Sequence, residues 1–282
     1  MMICLSKIAL LQNTLNGINK MSRSFDGVDD IIACGNGASL ADVFDGGGTF
    51  AAWIFPITLG EGNSGIIGCK VNSGALTAAW SVFMNQTNKI SMRYDFSSGD
   101  AVWGTANNSI KLKVWNHVAA VYDNGNIAND PTMYINGVVM AITQTSNASG
   151  SRVSDSSNPF RIGSRAGASD LVFNGSIAEV HLYSRTLSPI EINQIMHFPG
   201  SITDSAGLWH LDGTAAPEPD SSGNGNGGTV TGAINGLIGP PISGLYFPRK
   251  RRMTSFVPAI VTAVPAAVVG RRITRNLIGV GL

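Results

Sequence analysis

Cysteine is scarce in this 282-residue chain: Cys4, Cys34 and Cys69 are the only three, and no two are spaced C-x-x-C. Three thiols cannot make a complete disulfide framework, so they read as small buried hydrophobes and leave the redox compartment open. Charge is sparse too, at 13% of residues. Glutamate occurs only at Glu61, Glu179, Glu191 and Glu218, each isolated in sequence, so no local run of paired carboxylates offers itself for acid–base chemistry. Long apolar runs are missing: residues 255–270 are apolar but broken by Pro258 and Pro265, and a membrane span needs about 20 uninterrupted residues. The start is a poor secretory signal, because Lys7 interrupts the apolar run and no small-residue cleavage pattern follows. Long helical periodicity is absent from the middle of the chain.

What is present is glycine, 34 residues of it, with short apolar runs between clusters of Gly, Asn, Ser and Asp. That pattern predicts an all-β sandwich with many turns, in one large domain with extensions. Residues 1–20 place Ile8, Leu11, Leu15 and Ile18 at helical spacing, as a docking arm or helix would, although Met21 would also serve as a natural start. The body is expected over 21–239 and a C-terminal arm over 240–282, which opens on the Pro/Gly hinge GPPISG. Net charge is +1, yet Arg249, Lys250, Arg251, Arg252, Arg271, Arg272 and Arg275 carry seven of the 19 basic residues and no acid lies beyond Asp220. The remainder holds 12 basic against 18 acidic residues, or −6, so the arm and the body are expected to meet different partners.

Local signals converge on residues 173–195. Asn174-Gly175 is a turn dipeptide, and Ala178, Val180 and Leu182 then alternate with Glu179, His181 and Tyr183 along a strand. Ser188-Pro189-Ile190-Glu191 supplies an N-cap hydroxyl, a proline at the first helical position and the carboxylate of a capping box, predicting a short helix to about Met196. Further strands are expected over 48–57, 65–71, 115–123 and 132–140, the last with an Asn136-Gly137 hairpin, and over the hairpin 78–96. His117 sits among apolar neighbours and reads as a hydrogen-bonded core histidine.

The run Phe173-x-Gly175-x-Ile177-x-Glu179-Val180-x-x-Tyr183-x-Arg185-x-Leu187-Ser188-x-x-Glu191-Ile192 resembles the closing signature of laminin-G-like, concanavalin A-like jelly-roll domains. SFDGVDDIIAC at 24–34 is similar to the family's opening strand, Trp115-x-His117-Val118-Ala119 to its middle, and Phe160-x-Ile162-Gly163 to a later strand. The resemblance implies a sandwich of two antiparallel sheets with one short helix. Asp26, Asp29 and Asp30 are then either metal ligands or turn formers. Residues 207–233 resemble a segment that normally precedes the opening strand, so they are expected to complete the sandwich as a cyclic permutation, with 208–211 and 229–231 beside strands of the N-terminal half.

Relatives often hold calcium at the loop corresponding to 220–226, which here nominates Asp220, Asn224 and Asn226 with Glu179 from the strand; Ala178 stands where many members have Asp. Glu179, His181 and Tyr183 share one strand face and are expected to hydrogen-bond and stack on a sugar, unless a neighbouring segment covers them. Jelly-roll glucanases place their carboxylates in a Glu-x-Asp-x-x-Glu run, which this chain lacks, so the expectation is a non-enzyme. Permuted domains with short tails resemble tailed-phage structural proteins. That implies a homo-oligomeric component of the virion surface, capsid or tail, anchored in a neighbouring protein by the basic arm and displaying a module for surface glycans. A free-standing secreted lectin is the alternative. The arm's interleaved apolar residues favour a protein over nucleic acid as its partner.

Overall fold

Alternating side chains and glycine-rich turns build two antiparallel sheets of eight strands each. The computed structural model describes residues 22–72, 75–165, 170–213, 215–236 and 239–242. The predicted arm 1–20 and the basic residues Arg249 to Arg252, Arg271, Arg272 and Arg275 lie outside these.

Sheet A runs β10 (Val138–Met140), β9 (Thr132–Ile135), β8 (Asn116–Tyr122), β3 (Gly48–Pro56), β13 (Asn174–Tyr183), β1 (Arg23–Asp26), β16 (Ile234–Asn235), with β14 (Gly207–Trp209) also on β13. Sheet B runs β11 (Ile142–Ser146), β7 (Ala101–Thr105), β6 (Lys89–Tyr94), β5 (Ala75–Asn85), β4 (Ile66–Asn72), β12 (Phe160–Ile162), β2 (Ile31–Gly35), β15 (Thr229–Thr231). The predicted strands and hairpins are therefore present. In the two-residue hairpin between β9 and β10, Asn136 and Gly137 both take positive φ, 51° and 77°, as a type I′ turn requires.

The inner faces meet in one core, where Phe50, Trp80, Tyr94, Trp103, Phe160 and Trp209 are all buried. Inside it, Lys70 is wholly buried and donates to the Leu40 carbonyl at 2.6 Å and to Asp155 at 2.7 Å. Breaking one partner of such a pair typically costs about 3–5 kcal/mol, because the other charge stays buried. Cys34 and Cys69 are buried without a disulfide, matching the small-hydrophobe reading.

The helix α1 (Pro189–His197) carries the predicted capping box: the Ser188 hydroxyl accepts from the Glu191 amide and the Glu191 carboxylate accepts from the Ser188 amide. Ile192 and Ile195 pack with Tyr183, Leu187 and Tyr134 on the outer face of sheet A. A helix thus covers one side of that sheet.

The segment after the helix feeds both sheets. β15 pairs with β2 and β16 with β1, strands of the N-terminal half, whereas β14 pairs with β13 instead. The expectation for 208–211 is corrected here. β1 occupies β13 only from Asn174 to Ile177, and the rest of that edge is open to β14 from Val180 to Leu182.

Candidate functional site

Between those two pairings β13 breaks its register with β3, from Ala178 to His181, and Glu179 takes a left-handed φ of 50°. The bulge turns the Glu179 amide to the carbonyl of His210, at 3.1 Å, and its carboxylate to His210 Nδ1, at 2.5 Å. Burial raises the Glu179 pKa against the lowering pull of His210. For His210, burial pulls downward but the Glu179 carboxylate prevails, and its pKa is raised.

The expected sugar-facing stripe is therefore interior. Glu179, His181 and Tyr183 are 1%, 1% and 0% exposed: α1 and Ile202 pack over Tyr183, His181 lies against Tyr183, and Glu179 is turned onto His210. His181 stacks on Tyr183, ring centroids 6.1 Å apart at 11°, with the two side chains in hydrogen-bond contact at 3.4 Å. His117 is buried as expected, against the ring of Trp53 at 5.3 Å, but its Nδ1 and the Nε2 of His181 have no hydrogen-bond partner among the described residues. Burial lowers both imidazole pKa values, that of His117 to about 3 and that of His181 well below the usual 6.5.

The loop 220–226 is closed by its own hydrogen bonds. Asp220 Oδ1 accepts from the amides of Leu208 (3.1 Å) and Ser222 (2.9 Å), and Oδ2 accepts from the amide (2.9 Å) and side chain (3.1 Å) of Asn226. Asn224 and Asn226 turn their NH2 groups onto the carbonyl of Ala206. Calcium asks for six to eight oxygens aimed at one point. Here the only carboxylate of the loop is saturated by N–H donors, and the Glu179 carboxylate is held by His210, so these residues do not fit the ion. Asp26, Asp29 and Asp30 do converge, with carboxylate oxygens within 4.8 Å of one another, on a turn where Asp30 accepts from the Asp26 amide at 2.7 Å.

A polar row that the sequence reading did not single out lies instead on sheet B, with Lys89 and Arg93 half-buried and Ser91 and Asp95 buried. From Lys89 to Phe96 the chain alternates strictly: Ile90, Met92, Tyr94 and Phe96 enter the core, leaving Lys89, Ser91, Arg93 and Asp95 on the outer face. Arg93 bridges two carboxylates, Asp95 at 2.6 Å and Asp100 at 2.5 Å. Burial, partly offset by Arg93, raises the Asp95 pKa to about 6. Val102 on β7 is the cross-strand partner of Arg93 on the same face, and Thr143 on β11 the partner of Gly104 beside Ser91. The period-2 alternation was the available signal.

A family model described as the concanavalin A-like lectin/glucanases superfamily, Laminin_G_3, matches residues 26–193, more than half of the chain. The chain belongs to that superfamily. No curated protein matches it by sequence. A solved structure of a candidate carbohydrate-binding protein from Bacteroides ovatus is 17% identical at a TM-score of 0.56, covering 79% of this chain and 61% of that one. The carbohydrate-binding module of a Ruminococcus gnavus sialidase bound to α2,3-sialyllactose is 14% identical at a TM-score of 0.45, covering 63% and 98%. A heptameric pentraxin from Limulus polyphemus is 15% identical at 0.46, covering 63% and 82%. The chain thus spans less than two-thirds of the first of these, and the likeness establishes a shared sandwich fold.

Two outcomes follow from this geometry. His117 and His181 are neutral when folded and free to protonate when unfolded, so their contribution is complete above pH 6.5 and is lost as pH falls towards 3. His210 has the opposite sign, contributing below its unfolded value and losing that as pH rises through its raised folded one. Urea unfolding between pH 6.5 and 4 should show a declining stability that His117→Gln makes shallower by up to about 1.4 kcal/mol per pH unit; equal slopes would refute this account. For the loop, melting temperature is expected to be the same in excess calcium and in chelator. Asp220→Ala should cost about 2–3 kcal/mol in both, since it removes hydrogen bonds to a charged acceptor.

Proposed function

We propose that this chain is a non-enzymatic structural protein of a virion, a homo-oligomeric component of capsid or tail that displays a glycan-binding sandwich and is anchored by its terminal arms. The observation that carries the binding reading is the outer row of β6, where half-buried Lys89 and Arg93 alternate with buried Ser91 and Asp95 and Arg93 is fixed between two carboxylates. A guanidinium pre-oriented by buried Asp95 and a part-exposed Asp100 carboxylate supply both donors and acceptors, which is what sugar hydroxyls require. The superfamily and the Bacteroides ovatus relative make glycans the fitting ligand class.

The non-enzymatic part is supported by where the glutamates are used. Glu61 accepts from the Val172 amide, Glu179 holds His210, Glu191 closes the capping box and pairs with Arg185, and Glu218 pairs with Arg23 at 2.8 Å. Each has a structural partner. The anchoring part is supported by charge: a body of −6 is joined to an arm that carries seven basic and no acidic residues beyond Asp220. Such an arm suits an acidic groove on a neighbouring subunit.

On a glycan array the full chain should bind a defined set of glycans, and Arg93→Ala should weaken binding about tenfold or more through loss of charge-assisted hydrogen bonds. An array without signal overturns the glycan reading. Separately, protein lacking residues 249–282 should be absent from purified particles that retain the full chain. Its retention would discard the anchor.

A further inference from the structure

On the opposite sheet, strand register lines up four side chains that the β6 row does not involve. Ile234 on β16 faces Ser24 on β1, Ser24 faces Ser176 on β13, and Ser176 faces Phe55 on β3. Direct cross-strand partners share a face. Phe25, Ile177 and Ile54, their neighbours in sequence, are in the main core, so this row lies on the outer face of sheet A.

The two middle residues are short and the two flanking ones are long. The result is a cavity of about 280 Å³ with serines for a floor, Phe55, Ile57 and Ile234 for walls, and the chain at Asn235 and Gly236 for a rim. Trp115 backs the Phe55 ring at 5.7 Å. Cross-strand pairing places the Cβ atoms of Ser24 and Ser176 about 5 Å apart, and neither hydroxyl has a side-chain hydrogen bond among the described residues. Among the described residues, no charged side chain lines the cavity.

We infer that this cavity is a second, independent binding site, for a single neutral pyranose residue. A charged ligand would find no counter-charge in the walls. A purely apolar group would cover two serine hydroxyls and leave them unpaired, which is unfavourable. A pyranose satisfies both requirements, with its C–H face against Phe55, Ile57 and Ile234 and its hydroxyls on Ser24 and Ser176. The volume is slightly below the 300–1,000 Å³ or so of pockets for drug-sized ligands. It therefore takes one ring and leaves the rest of a glycan outside.

The ligand class is shared with the proposed function, but the residues are on the other sheet, so the two readings can fail separately. The full chain, isotope-labelled, is titrated with the methyl pyranosides of glucose, galactose and mannose while its amide resonances are followed. At least one pyranoside is expected to give saturable shifts centred on Ser24, Ser176 and Ile234. Ser176→Val and Ser24→Ala, both changes on an outer strand face, should each weaken that binding about tenfold, the loss expected for one unreplaced hydrogen bond. Arg93→Ala should leave it unchanged. Absence of saturable shifts at these residues with all three sugars overturns the inference, as does binding that both serine variants retain in full. Loss on Arg93→Ala with the serine variants unaffected would also overturn it, and would assign the sugar to the β6 row instead.

Discussion

The bulge at Glu179 is the constraint on which the arrangement of sheet A depends. A strand of ten residues that kept its register would offer one continuous edge to one partner. β13 instead offers two: β1 takes the edge up to Ile177, and β14 takes it from Val180. Glu179 stands at the break with its backbone in the left-handed region, a conformation that non-glycine residues adopt at a cost. The amide-to-carbonyl bond and the carboxylate–imidazole contact to His210 hold it there. The chain after the helix is brought back onto the sheet at that point, and Trp209 enters the core, its indole N–H donating to the Asn226 carbonyl at 2.8 Å.

This closure decides what the outer faces are available for. Once α1 lies on sheet A and the chain returns beside β13, the polar stripe of β13 is interior, and its hydrogen-bonding capacity is spent within the protein or left unmet, as at His181 Nε2. The histidines there add a sensitivity to acid and no surface. Among the described residues no α-helix lies over β6 of sheet B, and its outer row keeps Arg93 part exposed between Asp95 and Asp100. The outer faces left uncovered by the helix are therefore that of sheet B at β6 and the end of sheet A that lies beyond the helix.

Much of the fold was legible because its signals are local. The capping box at Ser188 and Glu191 and the Asn136-Gly137 turn each need only a few adjacent residues, and each is present in the structure. The alternation expected along β13 is instead interrupted by the bulge, which leaves Ala178 with Trp53 and Met196 while Val180 and Leu182 enter the main core. The site was much less legible. Period-2 alternation tells which residues share a face but not whether something covers that face, so Glu179, His181 and Tyr183 read as a surface. Nor does composition distinguish a loop that holds an ion from one that satisfies itself: Asp220, Asn224 and Asn226 have the residue types of a calcium loop, and their use as hydrogen-bond partners for Leu208, Ser222 and Ala206 depends on contacts with a separate segment. The row from Lys89 to Asp95 was the reverse case, a local signal as clear as that of β13.

The two candidate surfaces are chemically unlike, and the difference follows from strand register. On β6 the outward positions that reach solvent, Lys89 and Arg93, are long and charged, and the Arg93 head is fixed by Asp95 and Asp100. In the row from Ile234 to Phe55 the outward positions in the middle are serines, and the polar groups there are fixed by the backbone of two paired strands. A site of the first kind selects by charge and hydrogen bonding, through a head held by its ion pairs. A site of the second kind selects by shape, because its floor cannot move without breaking the pairing of β1 with β13, and that pairing is set by the bulge at Glu179.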